Sequence, residues 1–468
     1  MQRKRIAFHT LGCKLNFSET STISRLFGIQ EFDIVDFEQV ADVYVVHTCS
    51  VTATAEHKCR TSIKQAHKRN PDAKVAVIGC AAQANPELFM RMEGVTWVLG
   101  NQNKFRLEEV VRKSLENAGS QAEEAQPASR EVSDISKTRS FIPSYSMNDR
   151  TRSFFKVQDG CDYFCTFCSI PYMRGRSRSE SVESTMKVAR EIAGTNIREI
   201  ILTGVNIGDF GRQNGERFID LLRQLEKLDG IERIRISSIE PELLSDEIIT
   251  IVSKSGKLLP HFHIPLQAGT DKVLELMKRK YKREVFAGRV ALIRELMPHA
   301  CIAVDVIVGF PGETEEDFTE AYRFIEEQGI SYMHIFSYSE RPGTKALQFE
   351  GKVNEKEKRR RSQLLHELSE KKKQEFYESQ LGQTFQVLWE SDNVNGFMHG
   401  WTENYIHCRT PYDPLLINQV TTSKLLLVSR EKELICDVET RKAKGKAGNF
   451  RVNHFFQRYP RSINPENC

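Results

Sequence analysis

The sequence has no run of apolar residues near the roughly 20 that a membrane-spanning helix needs. Its longest, around Ile200–Val205 and Val304–Phe310, are the length of strands. A basic start is followed by only a few apolar residues before Lys14 and Asn16, too short a stretch for a signal peptide. Cysteine is sparse: 11 in 468 residues, far below the density of a disulfide-held scaffold. The count is odd, which excludes complete pairing within one chain. Charge of one sign is lacking too. Lys and Arg total 67 against 63 Asp and Glu, a formal charge of +4, which neither demands nor excludes nucleic acid. Against these absences stands 40% hydrophobic and 28% charged content, ordinary for a globular chain with large cores. At roughly 150 residues per domain, this length suggests about three domains. The expectation is a cytoplasmic protein in a reducing compartment, away from membranes, where clustered cysteines bind metal or do chemistry more often than they pair.

Strand and helix patterns alternate over residues 1–116. Lys4–Phe8, Asp42–His47 and Ala73–Ile78 read as strands, with helices over Ser18–Ile29 and Thr54–Lys68. This is a parallel α/β pattern. Residues 117–150 are rich in Ala, Ser, Glu, Gln and Arg and read as a linker, loosely ordered at least in part. A second series occupies 151–379. Its strands are Phe154–Val157, Glu199–Thr203, Arg233–Ser237, Pro260–Ile264, Ile302–Val308 and Met333–Tyr338. Six repeats fit a partial (βα)6 barrel, too few for a closed eightfold one. The charged helix Glu355–Glu378 contains Arg359, Arg360 and Arg361, flanked by acids and read as a solvated face. Residues 380–442 switch to short strands, among them Phe385–Glu390, Tyr405–Arg409 and Lys424–Val428, as in a small OB-like β-barrel. A basic tail, 443–468, follows.

The sharpest motif is Cys161, Cys165 and Cys168 in GCDYFCTFC, spaced C-x3-C-x2-C after the first barrel strand. Three thiolates on one loop can hold three irons of a 4Fe-4S cluster and leave the fourth open to a small chelating ligand. Two other readings are three buried small hydrophobes and a tetrahedral zinc site, for which Asp162 is the nearest fourth ligand. A second set is dispersed: Cys13 in TLGCKLN, Cys49 in HTCSV and Cys80 in IGCAAQ, each just after a strand of the N-terminal domain. Parallel strands bring their C-terminal ends to one sheet edge, so the three can meet at a second metal site. Singly, each reads as a core cysteine. Cys59, Cys301, Cys408, Cys436 and Cys468 share no pattern and read as structural. Gln267–Gly269 and Gly309–Glu313 are Gly-containing loops after late strands, where glycine lets a ligand approach the backbone. Arg174, Arg176 and Arg178 follow the cysteine loop and suit a phosphate or carboxylate, or a solvated basic loop.

The loop GCDYFCTFCSIPYMRGRSRS looks like the cluster motif of radical S-adenosylmethionine enzymes and more narrowly resembles the methylthiotransferase family. The resemblance runs from about Lys4 to Glu439 and includes GWTENYIHCR, similar to the family's RNA-binding TRAM domain. It implies an N-terminal methylthiotransferase domain, a radical SAM barrel and a TRAM barrel. It further implies two 4Fe-4S clusters, one on Cys161, Cys165 and Cys168, the other on Cys13, Cys49 and Cys80. The first would bind S-adenosylmethionine and cleave it reductively to a 5′-deoxyadenosyl radical, with electrons from a reductant such as flavodoxin or ferredoxin. The second would supply sulfur, which a second S-adenosylmethionine methylates. Thr203, Gly204 and Asn206 would contact the methionine amine, and Phe167 would lean on the adenine unless it is plain core. Gln267 and Gly309 would wall the S-adenosylmethionine or the substrate.

TLGCKLN, LTGVNIG and RISSIEP most resemble the bacterial branch that methylthiolates carbon 2 of N6-threonylcarbamoyladenosine at position 37, in the anticodon stem-loop of tRNA. Sister branches act on isopentenyladenosine in tRNA or on an aspartate of a ribosomal protein. A non-catalytic iron–sulfur RNA-binding protein is the reading of another class. Phe397, Trp401 and Tyr405 suit an RNA platform. Where the family reads Asn-Thr-Cys, this chain has His47-Thr48-Cys49.

Overall fold

The computed structural model describes residues 3–117, 129–147, 151–428 and 434–438. The N-terminal domain is a six-stranded sheet in the order Phe32–Val35, Lys4–Thr10, Val43–Thr48, Lys74–Gly79, Val95–Leu99, Ser129–Glu131. Every neighbouring pair is parallel. The central strand VYVVHT is buried throughout, as expected for a parallel strand covered on both faces. Side chains alternate between the two cores: Tyr44 and Val46 join one, Val43 and Val45 the other.

Three features depart from the sequence reading. The first helix runs Lys14–Ser24, with Cys13 at its N-cap, and so begins earlier than Ser18. The strands Phe32–Val35 and Val95–Leu99 are additional. Within the segment read as a linker, Ser129–Glu131 extends the first sheet and Ser144–Tyr145 pairs antiparallel with Arg152–Lys156. Backbone pairing with the sheets on both sides orders a composition that looks loose. Residues 118–128 and the basic tail lie outside the described residues.

Six parallel barrel strands are present: Arg152–Lys156, Glu199–Thr203, Arg233–Ile236, His261–His263, Cys301–Val308 and Tyr332–Ser337. They form two ladders, linked by single bridges from Ile234 to Leu258 and from Ser238 to His263. The result is the partial (βα)6 barrel expected. The helix Glu355–Ser379 packs on its last strand, where the Ser369 hydroxyl accepts from Met333 N at 2.9 Å.

Thr384–Trp389, Phe397–Thr402, His407–Pro411, Leu434–Val438 and Val420–Val428 close a five-stranded barrel. It is fastened to the N-terminal end of the larger barrel. Arg233 donates to the carbonyls of Gln386, Trp401 and Thr402 at 2.9 to 3.0 Å, while Glu199 holds both Arg233 and Arg235. Trp401 stacks on Tyr405 at 4.5 Å, Tyr405 packs at a tilt against His261 at 4.3 Å, and Arg152 lies over Trp401. The RNA-platform reading of Trp401 and Tyr405 is therefore corrected: both rings are spent on the domain junction. Tyr405 has φ of +63° and sits in a turn, so that strand starts at His407. Among the described residues no helix is long and apolar enough to cross a membrane.

Candidate active site

The loop bearing Cys161, Cys165 and Cys168 leaves the first barrel strand at its C-terminal end, where barrel active sites gather. It is anchored from both sides. Asp159 and Arg178 exchange backbone hydrogen bonds at 2.9 and 3.0 Å, and Cys161 N donates to Gly175 O at 3.1 Å. Gly160 has φ of +71°, and a Cβ there would collide with the Arg176 carbonyl. Thr166 donates to the carbonyls of Met277 and Leu276, and Arg279 donates to Cys165 Sγ at 3.3 Å. Arg279 is paired in turn with the half-buried Glu240, whose carboxyl is pushed up to about 7 by loss of solvent. Burial raises all three thiols, Cys168 to about 12, and the Cys165 thiolate adds to the rise at Cys161 and Cys168. Such thiols ionise as ligands of a metal, whose charge offsets the cost of burying them.

The dispersed cysteines lie at the ends of neighbouring strands of the sheet. Cys13 is the N-cap of the first helix, Cys49 follows the third strand of the chain, and Cys80 opens a short helix after the fourth. Asn16 ties the first two loops, donating to Leu11 O at 2.8 Å and Thr48 O at 3.1 Å. The Thr48 hydroxyl ties the last two: it donates to Ile78 O at 2.7 Å and accepts from Ala81 N at 3.1 Å. A Cβ on Gly12 would lie 2.9 Å from Cys49 Sγ. Asn101 donates to Cys80 Sγ at 3.4 Å. Burial raises the Cys13 and Cys49 thiols; Cys80 adds to the rise at both, and Cys13 at Cys49. Cys59 supports from behind, accepting from Cys49 N at 3.4 Å. Cys468 lies outside the described residues.

A buried charge cluster joins the two domains beneath these cysteines. Glu19 is paired with Lys104 at 2.5 Å, Lys156 at 2.9 Å and Arg174 at 3.2 Å. Asp159 is paired with Arg174 and Arg178, each at 3.0 Å. Burial, reinforced by Lys104, holds the His47 pKa well below its usual value, so its ring is neutral. Its Nδ1 shares a 2.8 Å hydrogen bond with Thr20. That leaves four cations, Lys104, Lys156, Arg174 and Arg178, against two carboxylates. Such a surplus is strongly unfavourable when nothing anionic offsets it. The thiolates of Cys13 and Cys80 are among the groups that favour the Arg174 cation. An anionic thiolate-ligated cluster fits this surroundings.

The expected S-adenosylmethionine contacts gather beside the first trio. Gln158 accepts from Val205 N at 2.9 Å and Asn206 N at 2.8 Å, and donates to Gly160 O at 2.7 Å. One buried amide thus fixes the cysteine loop and the Thr203–Asn206 loop together. A Cβ on Gly204 would press on Gln158. Thr203 Oγ1 and Asn206 Oδ1 are buried without a hydrogen-bond partner. Orphaned polar atoms at a strand end are what a polar ligand such as the methionine portion would satisfy. Phe167 is half-buried and packs edge-on against Phe310 at 6.3 Å. Gln267 has φ of +62°, and its backbone bonds to Asp305 and Ile307 across the ladder. Around Gly309 the sequence suggested ligand approach, but the space a Cβ would fill is occupied by Lys358, and Glu313 Oε2 accepts from Gly309 N at 2.6 Å. At Gly269 a Cβ would meet the Ala321 backbone at 2.7 Å, so helix packing demands that glycine.

Two charge readings change. Arg174 and Arg178 are buried in ion pairs and are not open to RNA or substrate; Arg176 alone of the three is exposed. Arg361 is 4% exposed and binds Glu313, Glu315 and Glu357, so part of that run is a staple rather than a solvated face. Glu19, Gln158, Glu240 and Arg279 escaped the sequence reading. Gln158 carried a faint signal, a polar side chain between an apolar strand and the cysteine loop. The others became neighbours only through the fold.

Residues 155–325 match the Radical SAM superfamily, and residues 5–100 match a family described as uncharacterized protein family UPF0004. The threonylcarbamoyladenosine tRNA methylthiotransferase MtaB of Bacillus subtilis (strain 168) is 40% identical over 432 residues, 90% of this chain and 93% of that protein. The chain belongs to the radical SAM methylthiotransferase family. MtaB of Aquifex aeolicus (strain VF5) is also 40% identical, over 86% of this methylthiotransferase and 95% of the relative. The tRNA-2-methylthio-N(6)-dimethylallyladenosine synthase of Bdellovibrio bacteriovorus is 33% identical, over 84% and 86%. Among solved structures, the radical S-adenosylmethionine methyltransferase TsrM of Kitasatospora setae has a TM-score of 0.51, 16% identity, and covers 71% of this chain and 73% of its own. That likeness concerns the fold. Family membership brings with it a 4Fe-4S cluster and S-adenosylmethionine.

Proposed function

We propose that this methylthiotransferase modifies carbon 2 of N6-threonylcarbamoyladenosine at position 37 of tRNA, holding one cluster on Cys161, Cys165 and Cys168 and a second on Cys13, Cys49 and Cys80. The observation that carries the reading is the convergence of two separate cysteine trios across one domain junction, with a buried cationic surplus beside the dispersed one. The relatives that act on threonylcarbamoyladenosine by name include two at 40% identity. When bound, the first cluster and S-adenosylmethionine supply radical chemistry at an unactivated C–H bond, and the second cluster supplies the sulfur.

The chain's own residues do the positioning. Arg279 donates to the Cys165 sulfur and keeps Glu240 in place. Gln158 holds the loop that carries Thr203 and Asn206, whose buried Oγ1 and Oδ1 atoms would be satisfied by the methionine portion, with Gly204 between them. Phe167 offers an aromatic edge for the adenine, and the Gln267 loop walls the same end. Asn16 and Thr48 lock the second trio. The tRNA anticodon stem-loop is the partner, a flavodoxin or ferredoxin the reductant, and the cytoplasm the compartment. The test is mass spectrometry of tRNA nucleosides from cells with and without the gene. Loss of 2-methylthio-N6-threonylcarbamoyladenosine is expected; loss of the dimethylallyl counterpart instead would move the enzyme to the sister branch.

A further inference from the structure

We propose that His263, Asp305 and His334 form a binding site for a divalent transition-metal ion, inside the larger barrel and without any of the cysteines. The three residues stand on neighbouring parallel strands, His261–His263, Cys301–Val308 and Tyr332–Ser337. Asp305 is in register with His334, and His263 with Ala303, two residues before Asp305. Side chains alternate along a strand, so all three lie on one face of the ladder. Their immediate neighbours mark the other face: Phe262, Val304, Val306 and Met333 are buried in the core shared with the surrounding helices. The two histidines and the aspartate therefore point into the barrel.

That face is open to solvent. The side chains of His263 and Asp305 keep 14% and 19% of their exposure, and His334 is half-buried. Toward the N-terminal end the layer is closed, where Tyr405 packs against His261 at 4.3 Å. One ligand atom from each of the three residues lies within 4.8 Å of the other two. His263 Nε2 is 2.8 Å from Asp305 Oδ1, and the His263 and His334 rings are 5.3 Å apart. Two donors held by one ion at roughly 2.1 Å lie about 3 Å from each other. The His263–Asp305 pair already has the spacing of adjacent ligands, and a side-chain rotation closes the third.

The donor chemistry agrees. A hydrogen-bonded His–Asp pair accounts for His263 and Asp305, but not for a second imidazole within reach of both. His334 has no hydrogen-bond partner among the described residues. Burial lowers its ring pKa to about 4. At neutral pH the ring therefore carries a free lone pair, the form that binds a metal. Two imidazoles and one carboxylate with open positions suit Fe2+, Mn2+ or Zn2+. Among the described residues the ion-pair partner of Asp305 is His263, and no lysine or arginine claims the carboxylate. Lys14 acts on Asp305 less than either histidine does. Asp305 offsets one of the ion's two charges, and the positions facing the interior remain for water or another oxygen donor.

The test is a Mn2+ titration of the full-length holoenzyme, reconstituted anaerobically so that iron occupies the cysteines, with free Mn2+ read by electron paramagnetic resonance. A single bound Mn2+ per chain is expected, displaced by Zn2+, and pulsed resonance should show coupling to imidazole nitrogen. His334→Ala and Asp305→Asn should each weaken binding by at least about 10- to 100-fold, the range lost when even an outer partner of a metal ligand is removed, while cluster iron is unchanged. A holoenzyme that takes up no Mn2+ or Zn2+ beyond its clusters overturns the proposal. Bound Mn2+ without nitrogen coupling overturns it too, as does binding that survives both substitutions. Should a substitution lower the cluster iron, the nitrogen coupling of the unaltered enzyme decides.

Discussion

The two cysteine trios are built on opposite principles. Cys161, Cys165 and Cys168 sit within eight consecutive residues, and one loop with its own backbone hydrogen bonds nearly defines their geometry. Cys13, Cys49 and Cys80 come from three strand ends, and nothing local brings them together. Their convergence depends on the parallel register of the sheet, on Asn16 and Thr48, and on a charge cluster shared with the next domain. The comparison teaches that one ligand set is a property of a loop and the other a property of a fold. Perturbations of the tertiary structure should therefore strike the dispersed set first.

The largest separation is expected from ligand removal. In Cys161→Ala, iron after anaerobic reconstitution falls from about eight to about four per chain, and 5′-deoxyadenosine release with dithionite is abolished. Cys13→Ala loses the same amount of iron yet continues to release 5′-deoxyadenosine, while methylthio product disappears. Equal loss of 5′-deoxyadenosine in both variants would break the comparison.

Next in size is Glu19→Ala. Removing one partner of a buried ion cluster costs about 3–5 kcal/mol, read as a shift in urea unfolding, and iron is lost from the dispersed trio before the local one. Burial opposes ionisation of Glu19, but Arg174, Lys104 and Lys156 overcome it and hold the carboxyl well below its usual 4.5. A depressed carboxylate contributes stability above its unfolded-state pKa and loses it as pH falls through the folded value. The wild type should thus lose stability on acidification below 4.5, and Glu19→Ala should lack that component. Equal acid sensitivity of the two proteins would remove Glu19 from the account.

The smallest expected effect is Gly79→Ala. Gly79 has φ of +97°, and a Cβ there would lie 2.5 Å from the His47 ring. With ψ of −149° this backbone conformation is reached essentially by glycine alone, and a side chain there costs about 1–3 kcal/mol. Because Gly79 immediately precedes Cys80, iron at the dispersed trio should fall while 5′-deoxyadenosine release holds. Unchanged iron would show that the strand end tolerates the shift.

Much of the fold was legible because burial writes itself into composition. The runs VYVVH and AKVAVI could only be covered strands, and six such repeats limited the barrel to a partial one. The boundaries that slipped have physical causes. Cys13, a poor capping residue on paper, caps a helix because strand Lys4–Thr10 ends there. Ser129–Glu131 is polar and short, and pairs because an open sheet edge is available to it. Charged and aromatic side chains were read least well. Arg174 and Arg178 looked like substrate ligands, and Trp401 and Tyr405 like an RNA surface. A cation's partner, or a ring's neighbour, is chosen by residues far away in the chain: Glu19 for Arg174, His261 for Tyr405.

By itself the sequence determined the local trio, the parallel α/β texture and the six-strand barrel, since each rests on spacing or periodicity along the chain, and its motifs resembled those of the family. Only the tertiary structure decided which charges are buried and which aromatic rings are spent on a domain junction. Electrostatic and stacking partners are set by distance in space, and a linear sequence does not carry that distance.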